Sequence, residues 1–289
     1  EMQTEHPGRV FDVGIAEAHG VALAAGMATQ GLRPVVCIYS TFLQRAFDQI
    51  VHDVAIQRLP VIFGVDRAGI VGDDGRTHHG VLDLAYLRAI PNLIVAAPKD
   101  EDELRHMLRT ALAADCPFAI RYSRGPGIGT SIDGEPQVLP VGRAELIRDG
   151  SDIALLGIGW GVTPALHAAE ELERIGLQAA VVNARFVKPL DRDLICELAT
   201  RTRRIITVED HNKMGGFGSA VVELLSDNDL GDIQVRRIAL PDEFHEHGPA
   251  DSIRAEHGIT VSGIVRTACS LADPTINTHI ESGRLIVGA

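Results

Sequence analysis

The chain has 289 residues, 45% of them hydrophobic and 23% charged, with a formal net charge of −12. That composition predicts a soluble globular protein of about two domains. The acidic balance excludes nonspecific nucleic-acid binding, which needs a basic surface, yet leaves room for a small anionic ligand held by a few local arginines. No signal peptide is evident, and no apolar run is long enough to cross a bilayer, so a cytoplasmic protein without membrane contact is expected. Cys37, Cys116, Cys196 and Cys269 lack metal-type spacing and read as reduced thiols, Cys37 as a buried one in an apolar strand. The opening EMQTEHPGRV has no initiator methionine and lies close to a first strand, which reads as a fragment with something N-terminal missing.

The first distinctive stretch is DVGIAEAHGVALAAGMA, residues 12–28, in which Glu17 stands among Gly14, Ile15, Ala16, Ala18 and Val21. A carboxylate held there is poorly solvated, and desolvation raises a carboxyl pKa. Such an acid donates a proton near neutral pH. The competing reading is a solvated glutamate complementing a helix dipole. His19 falls about 200° around the helix from Glu17 and reads as structural.

PVVCIYS (34–40) follows as an apolar run of the buried-strand type. Over residues 42–57 the period changes, and Leu43, Ala46, Phe47, Ile50, Val51, Val54 and Ala55 fall on one helical face. VIFGV (61–65), LIVAA (93–97) and FAIRY (118–122) are further strands. Asp100 and Glu103 form a capping box opening a helix with Leu104, Met107, Leu108, Ala111 and Leu112. A Gly- and Pro-rich stretch then breaks the rhythm and marks residues 126–150 as a linker between domains 1–125 and 151–275. Beyond it, strands at 152–159, 179–184, 204–209 and 233–240 are separated or followed by helices near 162–175, 190–199, 216–225 and 260–271. Residues 276–289 read as a tail outside the core. Strands alternating with helices imply an α/β protein of two doubly wound domains with mostly parallel sheets.

Ligands of open parallel sheets bind beyond the carboxyl ends of the strands. Tyr39 and Ser40 end the first strand, with Thr41, Phe42 and Arg45 after it. DRAGIVGDDGRTHHG (66–80) follows the second, and Ser123 and Arg124 follow FAIRY. The rim thus carries Arg45, Arg67 and Arg124, suited to a phosphate or carboxylate. In the long loop, Gly69, Gly72, Gly75 and Gly80 permit close backbone approach to a ligand, with Asp73, Asp74, Arg76, Thr77, His78 and His79 between them. The calcium-loop spacing is absent, and adjacent histidines rarely supply a zinc site. The loop is either a solvated connection or a functional site, and its length and placement favour the latter. Downstream, HNKMGGFGSAVVELL lacks dinucleotide-fingerprint spacing and suggests tight loop-to-helix packing or a dimer contact. PDEFHEHG sets His245 and His247 beside acids as an ordinary polar loop, with a metal site the lesser alternative. No metal ligand is assigned.

DVGIAEAH, YSTFLQRAFDQ, DRAGIVGDDGRTH and RYSRG, in this order and spacing, resemble the 1-deoxy-D-xylulose-5-phosphate synthases of the transketolase superfamily, from about His6 to Leu271. The resemblance implies a thiamine-pyrimidine-binding domain followed by a transketolase C-terminal-like domain. It implies a transferase that condenses pyruvate with glyceraldehyde 3-phosphate, with loss of carbon dioxide, to 1-deoxy-D-xylulose 5-phosphate for isoprenoid and thiamine biosynthesis. Thiamine diphosphate and Mg2+ would be its cofactors and a homodimer its assembly. By position, Glu17 is similar to the glutamate that hydrogen-bonds the cofactor's aminopyrimidine and favours the imino tautomer that generates the ylid. Phe42 matches the aromatic stacked on that ring, otherwise a helix-start core residue. Tyr39, Arg45 and Asp74 match residues lining the substrate pocket, Arg45 otherwise a surface ion pair. Arg67 and Arg124 match the clamp on the acceptor phosphate, otherwise solvated arginines. His78 matches a pocket histidine managing protons, whereas His79 reads as a loop residue.

One departure bears on activity. The Gly-Asp-Gly motif followed by Asn, which holds diphosphate and magnesium in the family, is absent from this sequence. The chain alone is therefore expected to bind cofactor weakly and to be inactive, its metal and diphosphate ligands lying in an absent N-terminal domain. A split transketolase or oxoacid dehydrogenase beta-type subunit needing a partner chain, and a non-catalytic dimerisation remnant, are the alternatives.

Overall fold

A computed structural model describes residues 2–272 and the backbone of two short strands beyond them, Asn277–Glu281 and Arg284–Gly288. The tail expectation otherwise falls outside the described residues. Two five-stranded sheets form, each of four parallel strands and one antiparallel edge. The first contains β1 (Val35–Tyr39), β2 (Ile62–Ala68), β3 (Ile94–Ala96) and β4 (Phe118–Ser123), in the order β1-β2-β4-β3. The second adds β5 (Glu145–Arg148), β6 (Ile153–Gly157), β7 (Ala179–Asn183), β9 (Arg204–Asn212) and β10 (Gln234–Leu240), in the order β10-β9-β6-β7-β5. The fold is the α/β class expected, with every anticipated strand present.

Two strands of these five-stranded sheets escaped the sequence pattern. β5 lies within the segment read as linker and pairs antiparallel with β7. β8 (Phe186–Lys188) belongs to the second half of the chain but completes the first sheet, antiparallel to β3. Phe186 is fully buried and meets the Phe118 ring edge-on at 6.4 Å. The Gly/Pro segment is also anchored: Glu101 accepts hydrogen bonds from the backbone N–H groups of Ile128, Gly129 and Thr130.

β1 corrects the reading of PVVCIYS as a strand buried on both faces. It is an edge strand with one face covered, so Val36 and Ile38 pack on the core while Val35 and Cys37 face outward. Cys37 is accordingly exposed rather than buried, and Cys116, Cys196 and Cys269 are free thiols as well. The helical stretch after β1 is also less regular than its periodicity suggests. It passes from α-helix (Ser40–Leu43) through a 3₁₀ turn (Gln44–Ala46) to a π-helical segment (Ile50–Ala55). Leu43, Ala46, Ile50, Val54 and Ala55 still reach the core, whereas Phe47 is partly exposed. Half of the capping box is present: Asp100 accepts from the Glu103 N–H at 2.7 Å, opening helix Glu101–Ala113, while the Glu103 carboxylate reaches back one residue further and accepts from the Lys99 N–H at 2.8 Å.

The glycines after β9 serve packing. The fully buried Glu209 accepts from the N–H groups of Phe217 and Gly218 at 2.6 and 2.8 Å, capping helix Phe217–Ser226, and a Cβ on Gly216 would lie 2.3 Å from its Oε2. Burial pushes the Glu209 carboxyl up to about 7, against the pull of those two N–H groups. A carboxyl that keeps its proton in the folded chain and loses it at an ordinary value in the unfolded chain stabilises the fold most at low pH. This contribution is complete below the ordinary value of 4.5 and declines until about 7. The unfolding free energy of the natural chain, relative to Glu209→Gln, should therefore fall across that interval in denaturant titrations. A difference that stays constant or rises with pH contradicts it.

Candidate functional site

The parallel register aligns the ends of β1, β2 and β4. Tyr39 lies beside Asp66, and Ser123 beside Ala68. Between Val65 and Ala68 the register shifts, and there Arg67 takes a left-handed φ of 57°. Side chains rarely accept that conformation without surrounding constraint. The loop that follows is closed at its base, Gly69 and Gly80 exchanging backbone hydrogen bonds at 2.7 and 2.8 Å. Both glycines are required sterically. A Cβ on Gly69, at φ 80°, would meet Asp210 Oδ2 at 2.4 Å, and one on Gly80 would meet the Arg67 carbonyl at 2.3 Å.

All eight residues singled out from the sequence fall into one connected cluster on this rim. Glu17, in the first turn of helix Glu17–Thr29, is only 8% exposed, and Arg45 Nη1 donates to its Oε1 at 2.7 Å. The same guanidinium lies 4.7 Å from the centre of the Phe42 ring. Phe42 stacks on Tyr39 at 5.6 Å and meets the His78 ring edge-on at 5.2 Å. Arg67 covers Tyr39 at 4.0 Å and donates to Asp74 Oδ2 at 2.5 Å. Arg124 lies 3.7 Å from the same oxygen and donates to the Val71 carbonyl at 2.9 Å. Two guanidiniums thus share one carboxylate, leaving a net positive charge at the loop mouth.

The surroundings of Glu17 differ from those its neighbours in sequence suggested. Val21 is buried, but Ile15 is 90% exposed, so the apolar enclosure is incomplete. A cation answers the carboxylate instead, which gives Arg45 an ion pair with the cluster's acid rather than a place at the phosphate-type clamp. His19 is exposed. His79 is no simple loop residue: it is buried, accepts from the Val71 N–H at 3.2 Å and faces the Glu246 carbonyl at 3.1 Å, tying the loop to the second half of the chain.

Beneath the rim lies a buried polar lattice that the sequence pattern did not reveal. Arg121 Nε donates to Asp83 at 3.1 Å, Ser40 Oγ donates to Asp83 at 3.0 Å, and Arg121 also reaches the carbonyls of Gly80 and Asp210. Asp210 Oδ2 accepts from the Ile70 N–H and from Arg254, the latter at 2.7 Å. One signal was available: Arg121 is a lone charge in the apolar strand FAIRY, and a buried charge needs a partner.

Residues 1–127 match the family description "Transketolase, pyrimidine binding domain", and residues 142–264 match "Transketolase, C-terminal domain". The chain is 57% identical over 286 residues to the 1-deoxy-D-xylulose-5-phosphate synthase of Thermomicrobium roseum, covering 98% of this chain and 44% of that protein. It is 56% identical over 267 residues to the same-named protein of Heliobacterium modesticaldum, covering 92% of this chain and 41% of that protein. It thus spans less than half the length of these relatives. Among solved structures, one described as a split gene transketolase, inactive beta4 tetramer, superposes with a TM-score of 0.84 at 31% identity, covering 94% of this chain and 86% of that one. A transketolase from Campylobacter jejuni shares the fold, with a TM-score of 0.72 at 24% identity over 90% of this chain and 39% of that one. Among the described residues, no helix is long and apolar enough to cross a membrane.

Breaking a buried ion pair strands its partner charge. Asp83→Ala should therefore lower the unfolding free energy by about 3–5 kcal/mol. A loss below about 1 kcal/mol in urea titration, the range of exposed pairs, contradicts the role given to Asp83 here.

Proposed function

The chain belongs to the transketolase family, and we propose that it carries the aminopyrimidine half and the acceptor clamp of a 1-deoxy-D-xylulose-5-phosphate synthase. The observation that supports this most is the continuity of the cluster: an acid, an aromatic ring, a histidine and two guanidiniums follow one another along a single rim. The reaction proposed is the decarboxylative condensation of pyruvate with glyceraldehyde 3-phosphate in an assembled, homodimeric protein.

The residues fit the pyrimidine end of thiamine diphosphate. A nitrogen heterocycle asks for an acid shielded from bulk water and an aromatic face, and Glu17 and Phe42 offer both. When bound, the cofactor supplies the carbanion chemistry that side chains lack. Glu17 holds a proton at the pyrimidine ring nitrogen, and Phe42 orients the ring. For this, Arg45 must leave Glu17, and its exposed, flexible side chain lets it turn toward the substrate pocket beside Tyr39. On this reading, the ligands for diphosphate and Mg2+ would come from outside these 289 residues, which lack the Gly-Asp-Gly motif.

His78 stands against Phe42 and moves protons near the donor. Arg67 and Arg124 take the acceptor's phosphate, whose two negative charges displace Asp74 as their shared partner. The match to the split-gene transketolase structure favours one second reading, a subunit working with a separate partner chain. The mass of the native assembly separates the two.

In assembled protein, Glu17→Ala should lower kcat about 10²–10⁴-fold, the range of a positioned proton-transfer group. Arg124→Ala should raise the KM for glyceraldehyde 3-phosphate about 10–100-fold while leaving that for pyruvate near its starting value. Unchanged turnover in the first variant, or equal effects on both substrates in the second, contradicts these assignments.

A further inference from the structure

Behind the rim loop, the segment after β10 and the end of helix Ala250–Glu256 bring three potential metal ligands together: Glu243, His245 and His257. His257 is the residue just past the helix, so the chain's own turn delivers its ring to the loop. His257 Nε2 lies 3.1 Å from His245 Nδ1, and Glu243 Oε1 lies 3.7 Å from the first and 3.9 Å from the second. A triangle with those sides has a circumscribed radius of about 2.1 Å, so one point is equidistant from all three atoms at the length of a zinc–imidazole or zinc–carboxylate bond. Among the described residues, no other three His, Cys, Asp or Glu groups meet this closely.

Hydrogen bonding accounts for the approach of the two imidazoles but not for that of Glu243, whose Oε1 lies beyond hydrogen-bond distance of both. The two imidazoles share one proton along the 3.1 Å contact, and the remaining nitrogen of His245, Nε2, is buried without a partner. That nitrogen points away from the cluster and takes no part in it; Nδ1 is the His245 atom that faces His257 and Glu243. His245 is buried while Glu243 is 57% exposed at the side chain, so an ion can enter from solvent and keep a water as its fourth ligand.

We propose that Glu243, His245 and His257 form a binding site for a borderline divalent cation of the Zn2+ class, held by two imidazole nitrogens, one carboxylate oxygen and one water. Two nitrogens and a single carboxylate disfavour Mg2+ and Ca2+, which take oxygen ligands. The ion would fasten the loop to the helix end. That loop also carries Glu246, whose carbonyl faces His79, and His247, whose Cβ lies 3.2 Å from where a side chain on Gly75 would begin. The metal therefore stiffens the backing of the loop that presents Asp74 and His78. This site is separate from the Mg2+ site of the cofactor and does not depend on the proposed reaction.

The test is competitive titration of the untagged, chelator-stripped 289-residue chain with ZnCl2 against a chromophoric zinc indicator near neutral pH. Uptake of one equivalent per chain is expected, with affinity lowered about 100-fold or more in both His257→Gln and Glu243→Gln. Glu243 is exposed, so its variant keeps the fold even where His257→Gln does not. Co2+ should give the visible absorption of a four-coordinate site in the natural chain and lose it in the Glu243 variant. Zinc left with the indicator, or taken up equally by the natural chain and both variants, overturns the proposal.

Discussion

The buried ion pair between Arg121 and Asp83 is the contact on which the arrangement of the rim depends. Arg121 is 3% exposed and Asp83 0%, so neither can be answered by water. Their geometry must be kept or the charge is stranded. From this pair the lattice runs in three directions: through Ser40 to the start of the segment bearing Phe42 and Arg45, through Gly80 to the closed base of the loop, and through the Asp210 backbone to the second sheet. Arg254 and Asp210 extend it to the helix at the far side. The two halves of the chain are thereby held in register where their chemistry-bearing loops meet, and β8 repeats the tie at the opposite edge of the first sheet.

Above this rigid base, the rim is a set of charges held by temporary partners. Arg45 answers Glu17, while Asp74 answers both Arg67 and Arg124. Each carboxylate keeps a guanidinium ordered without filling its capacity. On the proposed reading, a heterocycle replaces Arg45 at Glu17 and a phosphate replaces Asp74 between the arginines. The exchange of one ionic partner for another avoids exposing an uncompensated charge in a partly dehydrated place. Ile15, next to this cluster in sequence, stays exposed, so the apolar cover of Glu17 is incomplete within this chain.

Periodicity revealed nearly all of the parallel framework because buried parallel strands and amphipathic helices write strong patterns. It misplaced what depends on neighbours distant in sequence. VVCIY looks like a central strand, and only its position at the sheet edge leaves Cys37 exposed. β5 and β8 are short and lie beside Gly/Pro-rich or connecting segments, so nothing local marks them as strands. At the site, the convergence of parallel strand ends put seven of the eight residues on one rim, while Glu17, on a helix that precedes the first strand, was marked only by its own motif. The lattice beneath was not legible, because the partners of Arg121 lie 38 and 89 residues away. Likewise, the spacing of His245 and His247 drew attention to the wrong pair. The turn after helix Ala250–Glu256 supplies the true neighbour, His257.

The central claim is that the Glu17 carboxyl faces the cofactor's pyrimidine once Arg45 has moved aside. A solved structure of the assembled protein with thiamine diphosphate and Mg2+ tests it most directly. The account predicts the pyrimidine ring nitrogen within hydrogen-bond distance of Glu17, the ring against Phe42, and the Arg45 guanidinium off the carboxylate. A bound cofactor whose pyrimidine lies elsewhere, with Arg45 still paired to Glu17, would contradict it.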